Sequence, residues 1–187
     1  MYPITRRSPR LLLRELTVDD VNPVHAIYGS PEATAHLSFE PRSRDQVSAI
    51  VARSVESAGA DPRTEYALAV TRHDSGQLIG FARLALDPHQ QQAATIGFAL
   101  RPDVWGIGYG RETVGLLLAL AFEDLGLHRV WAARAPLNEA SAKTLLAAGM
   151  TEEGRIRGHV FVRGSWRDSI TYGVLREEWQ AAVAARS

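Results

Sequence analysis

The 187-residue chain contains no cysteine. Disulfides, thiolate metal centres and a cysteinyl acyl-enzyme are therefore excluded within it, and no metal site is expected. Lys143 is its single lysine, so the 21 basic side chains are nearly all arginine, against 21 acidic ones. Arginine keeps its charge when half-buried and forks onto phosphate or carboxylate, though genome composition accounts for the bias equally well. The formal net charge is zero. A nucleic-acid binder normally shows a basic excess or stripe; neither is present, and no nucleic-acid partner is expected.

Long apolar runs are missing too. The longest, Val114 to Phe122, is cut off by Glu123, well short of the roughly 20 residues that span a bilayer. The first ten residues carry Arg6, Arg7 and Arg10 without the apolar core of a signal peptide. No membrane partner is expected, and the cytoplasm is the default location. Hydrophobic and charged fractions of 45% and 22% are those of an ordinary globular protein, and the length suits one domain over residues 1–187.

Periodicity sets the order of elements. Leu11 to Leu16 reads as a strand. Thr17 and Asp20 resemble a capping box that opens a helix to about Tyr28, stopped by Gly29 and Pro31. A short helical piece follows from Glu32 to Leu37. Ser43 caps a longer helix carrying Val47, Ile50, Val51 and Val55 and ending at Gly59. Tyr66–Val70 and Leu78–Leu86, joined by the turn His73–Gly76, form an antiparallel hairpin. After the polar loop Asp87–Gln92 come a strand (Thr95–Leu100), a helix (Gly110–Leu125), a strand (Val130–Arg134) and a helix (Glu139–Ala148). Two last strands follow, Thr151–Arg157 and Ser169–Leu175. This order predicts an α/β fold: a mixed, mostly antiparallel sheet with one parallel crossover at its centre and helices on both faces.

One segment carries chemistry. Strand Thr95–Leu100 runs through Arg-Pro-Asp-Val-Trp105 into Gly106-Ile-Gly108-Tyr-Gly110-Arg-Glu and a helix. Alternate glycines let the backbone approach a ligand with φ above zero, and a helix N-terminus offers unpaired N–H groups with partial positive charge. Together they make a phosphate cradle; a tight strand-to-helix turn is the alternative reading. Arg111-Glu112 follows the last glycine where a P-loop needs Lys-Ser or Lys-Thr. The Gly-x-Gly-x-Gly spacing, with Arg134-Ala135 ending the next strand, also departs from a dinucleotide fingerprint.

Arg-Pro-x-x-Trp-Gly-x-Gly-Tyr-Gly before a helix resembles the acetyl-CoA pyrophosphate loop of the GNAT acyltransferase superfamily. Three further stretches resemble its RimJ/RimL-like branch, which acetylates ribosomal-protein N-termini. These are Arg10-Leu-Leu-Leu-Arg14 with Thr17-x-Asp-Asp20, Asn138-x-x-Ser141 with Gly149-Met150, and Gly164-Ser-Trp-Arg-Asp168 with Tyr172 and Glu178-Trp179. The resemblance implies acetyl-CoA, or another acyl-CoA, as co-substrate and an amine as acceptor, with the parallel strands splayed apart at the sheet centre. It places the pyrophosphate on backbone N–H groups of Ile107 through Arg111, within a loop that also includes Trp105, Gly106, Gly108, Tyr109 and Gly110. The pantetheine arm would lie along Phe98, Ala99 and Leu100, and Asn138 and Ser141 would flank the sulfur. Asn138 also reads as an ordinary N-cap and Ser141 as a first-turn residue. Lys143 and Arg111 either reach the phosphates or are solvated surface charges.

Direct transfer of this kind relies on positioning and on donors at the developing oxyanion. The resemblance implies Ser141 as the first candidate for the acid that protonates the leaving thiolate, with Tyr172 the second. The glutamate that RimL-type enzymes carry before their closing turn is absent from Gly158-His-Val-Phe-Val162. His159 stands in that neighbourhood as the candidate base, with His36 and Glu40 behind it. An α-amine, whose pKa is near 8, needs little help from a base; a lysine ε-amine, near 10.4, needs more. The acceptor is therefore a protein N-terminus or a small amine. A non-catalytic acyl-CoA sensor is the second class of reading. A homodimer is compatible with the sequence.

Overall fold

The computed structural model describes residues 2–185. Among them, eight strands form a single sheet in the order β1-β2-β3-β4-β5-β6-β8-β7. The strands are β1 (Thr5–Arg7), β2 (Leu11–Glu15), β3 (Glu65–Arg72), β4 (Leu78–Leu86), β5 (Ala93–Leu100), β6 (Arg129–Arg134), β7 (Thr151–Val162) and β8 (Ser165–Leu175). Only β5 and β6 pair in parallel; α4 (Tyr109–Ala119) makes the crossover between them. The mixed sheet with its central crossover is the architecture expected above.

Helices α1 (Val21–Tyr28), α2 (Pro31–Thr34) and α3 (Arg44–Ala58) cover one face. Val24, Ile27, Val47 and Val51 pack there on Ala67, Ala69, Phe81 and Ala99. On the other face, Val114, Leu117 and Leu118 of α4 and Leu145 of α5 (Glu139–Ala147) join Leu68, Ile79, Leu84, Ala94 and Val130. Successive side chains of one strand point to opposite faces, which is why Leu68 and Ala69 serve different cores. No helix among the described residues is long and apolar enough to cross a membrane.

Several boundaries differ from the sequence reading. β7 and β8 extend to Val162 and back to Ser165, so they meet in a two-residue turn, Arg163-Gly164, with φ of +52° and +73°. The stretch Thr151–His159 is exposed on both faces, so no apolar alternation marks it; pairing with β8 holds it instead. Three-residue β1 is too short for a periodicity. Helix α6 (Arg176–Ala184) buries little, yet Glu178 accepts the Leu175 N–H at its start and Trp179 packs against Phe122 with centroids 5.4 Å apart. The piece expected over Glu32–Leu37 is shorter, Pro31–Thr34, with Ser30 Oγ accepting from the Ala33 N–H. The crossover helix ends in a wide π turn, Leu120–Asp124, where Arg6 bonds the Ala119 carbonyl, Glu123 and Asp124.

The acid of the Thr17/Asp20 box does reach back: Asp20 accepts from the Thr17 N–H at 2.8 Å and is gripped by both guanidinium nitrogens of Arg14. A second pair is better buried. Glu15 takes two bonds from Arg63 (2.7 and 2.9 Å) and one from the Ile4 N–H, with Arg63 and Glu15 side chains only 4% and 11% exposed. Removing one member strands the other charge. Glu15→Ala is expected to cost about 3 kcal/mol, read from the urea midpoint at unchanged m; a loss under ~1 kcal/mol would show that Arg63 finds water instead.

Candidate active site

The site begins where β5 and β6 part. Their parallel ladder covers Ala93↔Arg129, Ala94↔Val130 and Thr95↔Trp131 and stops there. Beyond it, β5 continues on β4 alone, to Gly80↔Leu100, and β6 on β8 alone, to Arg134↔Ile170. Ala93 accepts from the Asp87 N–H, and Arg101 donates to the Ile79 carbonyl. Odd-numbered residues of β5 thus turn their backbone groups toward β4. By alternation, even-numbered residues face β6, and beyond the last pair Phe98 and Leu100 turn their backbone groups into the gap. Such an opening presents an unpaired strand edge to an extended ligand. Of the predicted arm-binding residues, Phe98 and Leu100 face it with their backbones, whereas Ala99 faces β4.

After β5 the chain turns through Pro102–Val104, and the Trp105 indole N–H closes on the Leu100 carbonyl at 2.9 Å. Gly106 and Gly108 hold φ of +77° and +90°, a region that L side chains resist. Gly108 is the N-cap of α4 and has no side chain to accept from the first turn. The N–H groups of Tyr109, Gly110 and Arg111 are left for an external acceptor, with the helix dipole behind them. Gly110 serves differently: a Cβ there would lie 3.3 Å from Thr144 Cγ2, so it admits α5 beside α4. Ile107 is exposed, Tyr109 is buried, and Arg111 and Lys143 are exposed.

Two residues that sequence reasoning did not assign fix this loop. Arg10 donates to the Ile107 carbonyl (2.9 Å) and to Glu112 (2.7 Å), and stacks over Tyr109 at 4.6 Å. Glu112 also accepts from the Arg10 N–H and the Ser8 hydroxyl. Burial pushes the Glu112 carboxyl up, but the bonds from Ser8 and Arg10 outweigh it and hold the group below the usual range. Arg10 neutralises this carboxylate, which would otherwise repel a phosphate in the first turn. The two lie 102 positions apart, beyond the reach of any local pattern.

Across the gap, α5 starts at Asn138, whose Oδ1 accepts from the Ser141 N–H at 3.0 Å. Asn138 is therefore a working N-cap. The Ser141 hydroxyl, half-buried, has no partner among the described residues. Tyr172 lies between β6 and β7, fully buried. Its hydroxyl accepts from Arg134 Nε and Nη2 (3.2 and 3.1 Å) and donates to Glu152 at 2.6 Å. Burial, then the Glu152 bond, raises its pKa. Arg134 in turn bonds the Ala135 and Pro136 carbonyls, which fixes the turn into α5. His159 is exposed and outside the neighbouring cavity.

That cavity, about 520 Å³, lies beside the turn and is lined by Ala135, Pro136 and Leu137, by His36, and by the β7–β8 hairpin. Leu137 and Trp166 in its wall are 82% and 68% exposed, so it opens as a groove. Its carboxylate, Asp168, is held by Arg155 and the Gly158 N–H.

A glycine loop with free helix N-terminal donors, an open strand edge and a groove at the turn into α5 form an arrangement suited to an acyl-CoA-dependent transferase. Residues 10–151 match the family model described as Acetyltransferase (GNAT) domain, and the chain belongs to this family. It is an N-acetyltransferase with acetyl-CoA as co-substrate. Over 94% of its length it is 27% identical to the uncharacterized N-acetyltransferase YoaA of Bacillus subtilis (strain 168), covering 98% of that protein. Its fold matches Mycobacterium smegmatis RimJ in complex with CoA-disulfide: TM-score 0.82, 20% identity, 98% of this chain and 95% of that one. It also matches Vibrio cholerae spermidine N-acetyltransferase in complex with CoA and spermine, at TM-score 0.79 and 21% identity over 92% and 99% of the chains.

A side chain at Gly108 would meet a forbidden φ and lie 3.3 Å from Arg10 Nη2. Gly108→Val is expected to weaken acetyl-CoA binding at least tenfold, or about 1.4 kcal/mol, by calorimetric titration, with the far-UV circular dichroism unchanged. Native affinity in a folded variant would remove the phosphate from this loop.

Proposed function

We propose that the acceptor is a protein or peptide N-terminal α-amine. The observation that carries this reading is the groove at the turn from β6 into α5: it is open, walled by exposed Leu137 and Trp166, and its Asp168 is already engaged by Arg155. A polyamine or aminoglycoside site needs carboxylates free to meet several cations; an extended chain needs length and apolar contact. The base requirement agrees. With a pKa near 8, an α-amine is partly deprotonated at neutral pH and can attack without a strong protein base.

In this reading the loop from Trp105 to Arg111 holds the pyrophosphate, the gap-facing groups of Phe98 and Leu100 hold the pantetheine arm, and Asn138 sets the start of α5. The thioester, when bound, supplies the electrophilic carbonyl and the thiolate leaving group. Ser141 is the proton donor to that leaving group because its hydroxyl is uncommitted. Tyr172 takes second place, its proton being held by Glu152 and its oxygen by Arg134; it orients β6 and β8 around the site.

Thiol release with acetyl-CoA and three acceptors tests the reading: an N-terminal peptide, a lysine side-chain analogue and spermidine. The peptide is expected to give the highest kcat/KM; a preference for spermidine would refute the proposal. Ser141→Ala is expected to lower kcat by roughly 100-fold with little change in the acetyl-CoA KM, as for a group acting in the transition state. An effect on KM alone makes Ser141 a binding contact. His159→Ala is expected to retain activity on the peptide within about twofold, since a working base contributes roughly 100-fold or more. A large, pH-independent loss on the peptide would place His159 in packing or binding.

A further inference from the structure

The groove wall carries positive charge that the protein does not balance. Arg163 and Arg167 both line it. Arg163 donates to the carbonyls of Thr34 (2.8 Å) and Phe39 (3.5 Å), Arg167 to those of His36 (3.0 Å) and Leu37 (3.2 Å). All four acceptors are neutral backbone groups, Thr34 at the end of α2 and the other three in the segment after it. Among the described residues, neither arginine has a carboxylate partner, whereas Arg155 next to them is paired with Asp168. Arg167 Nε is buried with no acceptor. Burial, then the charge of Arg163, pulls the Arg167 pKa below the ordinary guanidinium value, as expected of two like charges without a counterion.

The backbone gives an independent sign. Arg163 is the first residue of the hairpin turn, at φ +52°. Turns of this kind call for Asn, Asp or Gly at that position, because other side chains resist the left-handed region. A long cation placed there is a poor choice for the turn alone. Its guanidinium is nevertheless brought to the same wall as that of Arg167, and among the described residues Nη1 of Arg163 and Nη2 of Arg167 have no acceptor. Arginine forks of this type suit a carboxylate.

We propose that Arg163 and Arg167 are specificity-determining residues that bind a carboxylate on the acceptor, close to the amine that is acetylated. Resting on the α-amine reading above, this names the substrate class: N-termini with an acidic side chain in the first few positions. The same pair disfavours acceptors with a second cation near the amine. It acts on the acceptor and leaves the acyl transfer itself to the residues already described.

The test uses the full chain, acetyl-CoA and C-terminally amidated peptides identical except for Glu, Gln or Lys at the second position. Alanine and alaninamide serve as small acceptors. Wild-type kcat/KM is expected to favour Glu over Gln by about tenfold, the size of one charged hydrogen-bonded contact, with Lys lowest. Arg167→Gln is expected to bring the Glu/Gln ratio close to one. So is Arg163→Asn, which keeps a residue suited to the turn. A wild-type ratio near one overturns the proposal without any variant, and so does a ratio that survives both substitutions. Peptides acetylated without preference would leave the α-amine reading standing and remove the arginine site. If alanine is preferred tenfold over alaninamide, the arginines lose that preference on substitution and no peptide reacts, the carboxylate site holds and the N-terminal reading falls. A Gln peptide that gains only with succinyl-CoA as donor, and loses that gain in Arg167→Gln, would assign the arginines to the acyl group and overturn the proposal.

Discussion

A sheet gains most by pairing every strand to its full length, and this one does not. β5 and β6 share three pairs and then separate, leaving the backbone groups of Phe98 and Leu100 without a strand partner. Buried backbone groups without partners are costly, so such a gap persists only where something else holds its two sides apart. Here Arg134 ties the end of β6 to the Ala135 and Pro136 carbonyls and to Tyr172, and Tyr172 continues the tie to Glu152 on β7. On the other side, Trp105 closes on Leu100 and turns the chain away into the glycine loop. The loop, the start of α5 and the groove all open from this one separation.

Electrostatics follow the same plan. At one end of the gap, the N-terminus of α4 offers N–H donors beneath a glycine cap, and Arg10 cancels the carboxylate of Glu112 that shares the first turn. In the groove, Arg163 and Arg167 set a positive wall fixed to the end of α2 and the segment after it. Ser141, in the first turn of α5, has a hydroxyl without a partner among the described residues.

Much of this was legible in the sequence because it is local. The three alternate glycines, the strand before them and the amphipathic helix after them lie within one continuous stretch, and periodicity alone orders β2 through α5. The individual glycines were less legible: Gly106 and Gly108 supply φ, while Gly110 supplies space for Thr144, a distinction that depends on α5 packing from a distant segment. β7 escaped its true length because a register shift between Ile156 and Val160, with Gly158 at positive φ, interrupts its pattern before Val162. The pairs Arg10–Glu112 and Arg163–Thr34 join residues more than a hundred positions apart, and the chain is so rich in arginine that no single one stands out. Tyr172 was singled out by resemblance, but its ties to Arg134 and Glu152 depend on the β6–β8–β7 register.

The central claim is that backbone groups, at the gap and at the first turn of α4, hold the acyl-CoA. Hydrogen exchange with and without acetyl-CoA tests it most directly. The account predicts that the amides of Phe98, Leu100, Tyr109, Gly110 and Arg111 slow by about tenfold or more on binding, as for groups that gain an acceptor. Saturating acetyl-CoA that leaves these amides unchanged, with protection elsewhere on the chain, would contradict it.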